Sequence, residues 1–348
     1  MNALAVLLGV LFFSFCLTSA AIVPFINALY SLKFQRMQQD TRDVFGKLTP
    51  IFNLFHKEKA GVPVGGGLLV IAVVSMLFAI LLPILEYFGV EITSIHKNII
   101  GEINILFFTF MSFGILGLYD DIKKFFKLEA TGFFGLRMKF KLIFEIILAL
   151  IVSFMLYNSL GISFINIPFF GTINMGIFYV PFATFTIVAF ANAVNITDGL
   201  DGLAAGSLMI SLFGLWFLSA AILDVPLSLF LALWIGALIS FLYFNVFPAR
   251  LFMGDVGSLA FGASLAVVGL LLGKSFALPI IGFIFVLEIT SSFLQLLSKR
   301  FLKRRIIPAA PMHLTLQKMG WEEPKIVQRA WLIQILLTLF GVWLTLLK

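Results

Sequence analysis

The sequence predicts an all-α integral membrane protein: about ten transmembrane helices in a single polytopic domain covering residues 1–348, with both termini outside. Three observations carry that prediction. Hydrophobic residues make up 61% of the chain and charged residues only 12%, for a mean hydropathy of +1.09. Soluble globular chains sit near half apolar and a quarter charged, so this composition lies outside their range. Apolar runs of the length a bilayer requires, about 20 residues each, recur along the chain. The basic residues between those runs fall in alternate loops.

The runs lie at 3–32, 65–89, 99–119, 140–159, 176–194, 203–222, 226–247, 256–273, 276–298 and 327–347. Thr18-Ser19-Ala20-Ala21 in the first has the small residues of a cleavage site. No Lys or Arg precedes that run, however, whereas Lys33, Arg36 and Arg42 follow it, so it reads as an uncleaved span entered from outside. Between the fourth and fifth runs, Ser163 to Pro168 and Gly171 to Asn174 read as two short extended pieces, a small external β-hairpin. All but three of the 24 basic residues (Lys97, Lys274 and Lys348) then fall in the loops assigned to the cytoplasm. The net charge of +7 is therefore a topology signal, and no nucleic-acid partner is expected. Cys16 is the only cysteine, and His56, His96 and His313 are scattered. Neither a disulfide framework nor a Cys/His zinc signature is present.

Against this background the acids stand out, because nothing about topology calls for them. Asp120 and Asp121 fall where the third run ends, Asp198 and Asp201 lie in Asn192 to Gly206, and Asp255 lies in Phe252 to Ser258. Asp198 and Asp255 precede spans and could be helix N-caps, which the macrodipole favours. Asp120 and Asp121 are harder to place, since a helix C-terminus repels anions and adjacent acids repel each other. Lys123 and Lys124 could compensate them, and so could a bound divalent cation. Asp198 and Asp201 share a face if a helix has begun there. Carboxylates without His or Cys partners suit a hard cation such as Mg²⁺ held together with substrate phosphates, which points to phosphoryl transfer.

At these residues the chain resembles the polyprenyl-phosphate N-acetylhexosamine-1-phosphate transferase superfamily, and within it the phospho-N-acetylmuramoyl-pentapeptide transferases. The stretches that carry the resemblance are Lys59 to Gly67, Gly117 to Asp121, Arg137-Met138-Lys139, Asn192 to Gly206, Asn245 to Ser258, Ala310 to His313 and Gly320 to Lys325. The resemblance implies Mg²⁺-dependent transfer of phospho-MurNAc-pentapeptide from UDP-MurNAc-pentapeptide to undecaprenyl phosphate, giving lipid I and UMP for peptidoglycan synthesis. It implies a bacterial inner-membrane enzyme with its active site on the cytoplasmic face, with the lipid bilayer and a second copy in a homodimer as partners. By motif position, Asp255 resembles the metal ligand. Asp120 and Asp121 resemble an acidic pair that orients the acceptor phosphate, and Asp198 and Asp201 belong to the central polar loop. Lys139 would meet phosphate charge. Lys59, Asn192, Asn195, Asn245 and His313 fall on substrate-binding positions.

Two stretches depart from the family pattern. Three consecutive histidines are usual where this chain has His313-Leu314-Thr315, and Val62-Pro63-Val64 replaces a Thr-Pro-Thr stretch. Fewer imidazoles toward the donor leave a sister transferase using UDP-GlcNAc as an alternative. A transporter is the remaining alternative, because Glu145 and Glu288 lie in apolar surroundings. Its sites would be expected near mid-membrane, however, and the aspartates gather at one face.

Overall fold

The computed structural model describes residues 3–36, 59–126 and 138–347. Arg42, Lys47, His56, Lys57, Lys127 and Arg137 lie outside the described residues. The order is α1 (Ala3–Ser31), α2 (Gly66–Tyr87), α3 (Ile99–Phe126), α4 (Met138–Leu160), β1 (Phe164–Ile167), β2 (Gly171–Asn174), α5 (Tyr179–Thr197), α6 (Leu203–Ala221), α7 (Val225–Asn245), α8 (Gly254–Leu271), α9 (Leu278–Ile281), α10 (Phe283–Leu297), α11 (Met312–Lys318) and α12 (Glu323–Leu346). Among the described residues nine of these helices, all but α9, α10 and α11, are long and apolar enough to cross a membrane. The hairpin forms as expected, antiparallel, with Phe164 opposite Asn174 and Ile167 opposite Gly171.

The run at 276–298 forms two helices, α9 and α10, interrupted at Gly282, and neither by itself is long enough to cross a membrane. A break inside a bundle leaves backbone groups that lipid cannot satisfy, so protein must do so. Here α12 supplies most of the partners. Gln334 Oε1 accepts from the Ile284 N–H at 3.0 Å, its Nε2 donates to the Ile281 carbonyl, and Ser211 Oγ donates to the same carbonyl at 2.7 Å.

Large apolar side chains such as Phe12, Ile115, Phe154, Phe185 and Leu336 face outward, as a lipid-bathed surface requires, while Trp234, Phe110, Phe230 and Phe261 are buried. The rings of Phe110, Trp234 and Phe261 meet with centroids 5.3 and 5.4 Å apart. α8 is central, packed against α3, α5 and α2. Without a hydrophobic driving force between helices in lipid, close approach depends on small residues, and two glycines provide it here. A Cβ at Gly117 would lie 2.1 Å from the Asp255 carbonyl oxygen, and one at Gly67 would lie 2.2 Å from Gly257 Cα. The clash at Gly67 is with backbone, so α2 and α8 must separate to relieve it. Gly67→Ala is expected to cost about 1–3 kcal/mol of stability, read as a lowered Tm of the detergent-solubilised protein. An unchanged Tm would mean that the crossing tolerates a methyl group.

Two boundaries correct the sequence reading near the acids. α3 continues past residue 119 to Phe126, so Asp120 and Asp121 sit on helix and not at its end. An i,i+4 pair, Lys124 Nζ to Asp120 Oδ2 at 3.1 Å, sustains the added turn. Residues 198–202 are turn rather than helix, so Asp198 and Asp201 do not share a helix face. α6 begins only after Gly202, whose φ of 80° is left-handed.

Candidate active site

Close packing of α3 on α8 brings Asp120 and Asp255 to one place, and the first turn of α4 adds Lys141. Lys141 Nζ lies 2.6 Å from Asp255 Oδ2 and 3.3 Å from Asp120 Oδ2. Lys124 Nζ lies 2.7 Å from Asp255 Oδ2, so two ammonium groups bridge two carboxylates contributed by different helices. Asn195, from the last turn of α5, donates its Nδ2 to Asp255 Oδ1 at 3.1 Å and to Ser258 Oγ at 2.7 Å. Asp255 is therefore held from three sides. It is not the N-cap of α8. That position falls on Met253, whose side chain makes no capping bond.

Asp121 points elsewhere. Its Oδ2 accepts the Val256 N–H at 3.0 Å, so a side chain of α3 satisfies a free donor at the start of α8. Gly254 allows this approach, since a Cβ there would lie 2.7 Å from that same oxygen. The pair is thus split: Asp120 faces the lysines and Asp121 faces backbone.

The turn after α5 forms the second half of the site. Asp201 is buried, with Oδ1 2.6 Å from Lys59 Nζ and Oδ2 accepting the Ala249 N–H at 2.9 Å. Lys59 also meets Glu323 Oε1 at 2.6 Å, and the same oxygen accepts the Asp201 N–H at 2.5 Å. Asn245 is buried and spends its carboxamide on the Gly202 N–H at 3.2 Å and the Leu251 carbonyl at 2.9 Å. These bonds hold the turn rigid. Asp198 falls at the C-terminal end of α5, so the N-cap expectation for it does not hold. Burial pushes its pKa up to about 8; Arg36 and Lys59 oppose the shift while Asp255 and Asp201 add to it. Burial also lowers Arg36, against the pull of Asp198, Asp201 and Glu323.

His313 lies under this turn. Glu288 Oε2 is 3.0 Å from its Nδ1, and Glu288 Oε1 accepts its backbone N–H at 3.1 Å. Its Nε2 is buried without a hydrogen-bond partner, and a Cβ on Gly199 would lie 2.6 Å from it. Leu314 and Thr315, which stand where histidines are usual, are buried. Thr315 Oγ1 exchanges bonds with the backbone of Ala309. Asn192, a turn before Asn195, donates to Glu145 Oε2 at 2.5 Å, and Glu145 is one turn beyond Lys141 on α4.

Of the residues expected from sequence, Asp120, Asp255 and Asn195 converge directly. Lys59, Asp198, Asp201 and Asn245 gather at the adjoining turn, Asn192 lies beside Glu145, and His313 lies beneath. Lys139 is exposed, and among the described residues it pairs with none of these acids. Lys141, two residues on, is the lysine of α4 that meets Asp120 and Asp255. The signal available in the sequence was the Lys141–Glu145 spacing, which puts two ionisable groups on one face of an otherwise apolar helix. Glu288, marked in the sequence only as an acid in apolar surroundings, meets His313, and Glu323, which no sequence signal singles out, meets Lys59; each acts through a partner distant in sequence.

The profile of glycosyl transferase family 4 matches residues 103–273, from α3 through α8. The phospho-N-acetylmuramoyl-pentapeptide-transferase of Clostridium perfringens (strain 13 / Type A) is 39% identical over 273 residues, covering 78% of this chain and 80% of its own. The protein of the same name from Desulfotalea psychrophila is 38% identical over 346 residues, 92% of this chain and 89% of its own. That from Caldanaerobacter subterraneus subsp. tengcongensis is 35% identical over 315 residues, 90% of each.

Proposed function

The chain belongs to the phospho-N-acetylmuramoyl-pentapeptide-transferase family, and we propose that it transfers phospho-MurNAc-pentapeptide from UDP-MurNAc-pentapeptide to undecaprenyl phosphate, releasing UMP and giving lipid I. It is a bacterial membrane enzyme of peptidoglycan synthesis; the inner membrane and a cytoplasmic active site are part of the proposal. The observation that carries the reading is the meeting of Asp120, Lys124, Lys141 and Asp255 at one end of the bundle. A lipid-linked phosphate and a water-soluble nucleotide can come together only at headgroup level, where such helix ends lie.

The donor set fits Mg²⁺: Asp255 and Asp120 offer hard oxygen ligands with no sulfur or free imidazole between them. They are the residues that would hold the ion. When bound, it supplies charge neutralisation to the phosphates and polarises the phosphorus under attack. The remaining work falls to this chain's own groups. Lys124 and Lys141 offset phosphate charge, and Asn195 fixes the orientation of Asp255 through Oδ1. Asp120 orients the acceptor phosphate. Lys59, Asp201 and Glu323 keep the turn at 198–202 in place, and the free Nε2 of His313 gives that turn a polar floor.

The test is UMP release by the purified protein with undecaprenyl phosphate, comparing UDP-MurNAc-pentapeptide with UDP-GlcNAc. Release is expected from the muropeptide donor alone, and only with Mg²⁺ present. Release from UDP-GlcNAc instead would assign the sister activity. No release from either donor would overturn the transfer reading.

A further inference from the structure

A second polar cluster lies at the other end of α3. Glu102 and Asp120 are eighteen residues apart on that helix, or about 27 Å at 1.5 Å per residue. His96, Glu102 and Asp224 each offer a ligand atom there, all within 4.8 Å of one another. Glu102 and Asp224 are fully buried. Among the described residues neither forms an ion pair with Lys or Arg, in contrast to every acid of the site above that meets a lysine.

The cluster is built rather than incidental. Glu102 Oε2 accepts from Ser94 Oγ at 2.6 Å, and that hydroxyl lies 3.3 Å from Asp224 Oδ2. Asp224 Oδ1 caps α7 through the Leu227 N–H at 3.2 Å. The loop is pinned at Thr93, whose carbonyl accepts the Val225 N–H at 2.9 Å and whose Oγ1 donates to the Leu223 carbonyl at 2.6 Å. His96 Nε2 meets the Leu271 carbonyl at 3.1 Å. A carbonyl accepts only, so Nε2 carries the proton and the Nδ1 lone pair of the neutral ring is left for a cation. A separate observation points the same way: Glu102 Oε1 is buried and accepts from no N–H or hydroxyl donor, and the Glu102 carboxyl abuts that of Asp224.

Two abutting buried carboxylates need a shared proton or a cation. One imidazole with two carboxylates is a borderline donor set of the kind that takes Zn²⁺, with water in a fourth position. We propose that His96, Glu102 and Asp224 form a Zn²⁺ site that staples the 93–98 loop to the neighbouring ends of α3 and α7. Bonds of roughly 2.0–2.1 Å require ligand atoms roughly 3.4 Å apart, so side-chain closure of at most about 1.5 Å completes the site.

Equilibrium dialysis of the EDTA-treated, detergent-purified full chain against Zn²⁺ tests this. His96→Gln, which can keep a bond to the Leu271 carbonyl, is expected to hold one equivalent fewer than the wild type, and Asp255→Asn to retain that equivalent. Equal stoichiometry in wild type and His96→Gln would overturn the proposal. X-ray absorption at the zinc edge of the Asp255→Asn protein needs no change in the cluster and decides the matter even where His96→Gln fails to fold. An imidazole with oxygen ligands at about 2.0–2.1 Å supports the site. A shell without imidazole overturns it and assigns a shared proton to Glu102 and Asp224.

Discussion

Asp255→Asn is expected to lower transfer at least about 100-fold while leaving the bundle folded, because the change removes charge without removing shape. Altering even an outer-shell partner of a metal ligand typically costs 10–100-fold, and Asp255 is proposed as a ligand itself. Its Oδ2 stands between Lys124 at 2.7 Å and Lys141 at 2.6 Å. A neutral carboxamide there leaves two ammonium groups with Asp120 as their remaining counter-charge. The fold should survive, since the free N–H at the start of α8 is satisfied by Asp121 and not by Asp255. The measurement is UMP release at saturating donor and Mg²⁺, alongside thermal unfolding in detergent. Near-normal turnover with an unchanged Tm would remove Asp255 from the chemistry.

How much of this could be read from the sequence depended on the range of the interactions involved. Apolar runs and the sidedness of Lys and Arg are local signals, and they place nearly every span to within a few residues. The interruption at Gly282 is not local. What makes it tolerable is Gln334, more than fifty residues later, bonding to the backbone at Ile281 and Ile284. Helix phase is equally hidden. Lys139 and Lys141 are alike as residues in a basic stretch, and only the orientation of α4 turns the second toward Asp255. The acids in Asn192 to Gly206 were visible as unusual. Spacing alone could not show that Asp201 and Asn245 bond to backbone N–H groups of Ala249 and Gly202, whereas Asn195 bonds to Asp255. In such a bundle the sequence marks which polar residues are costly to keep, and the helix crossings decide which of them meet.

Asp120→Ala and Asp121→Ala are expected to fail in different ways. Asp120 faces Lys124 and Lys141 at 3.1 and 3.3 Å, and it is the residue proposed to orient the acceptor phosphate. Removing it should lower turnover by about 10²-fold or more, with uridine-nucleotide affinity changed by less than about threefold. A loss confined to turnover at saturating donor is the signature of an interaction made with the reacting groups. Asp121 instead accepts the Val256 N–H, and deleting an acceptor from a buried donor costs about 1–3 kcal/mol. Asp121→Ala should therefore lower Tm as well as turnover, whereas Asp120→Ala should lower turnover with little change in Tm. Both variants call for the same three readings: turnover, donor affinity by titration, and thermal unfolding. A fall in donor affinity in Asp120→Ala large enough to account for its whole loss of activity would move Asp120 to the nucleotide side, and the acceptor role argued for it would be wrong.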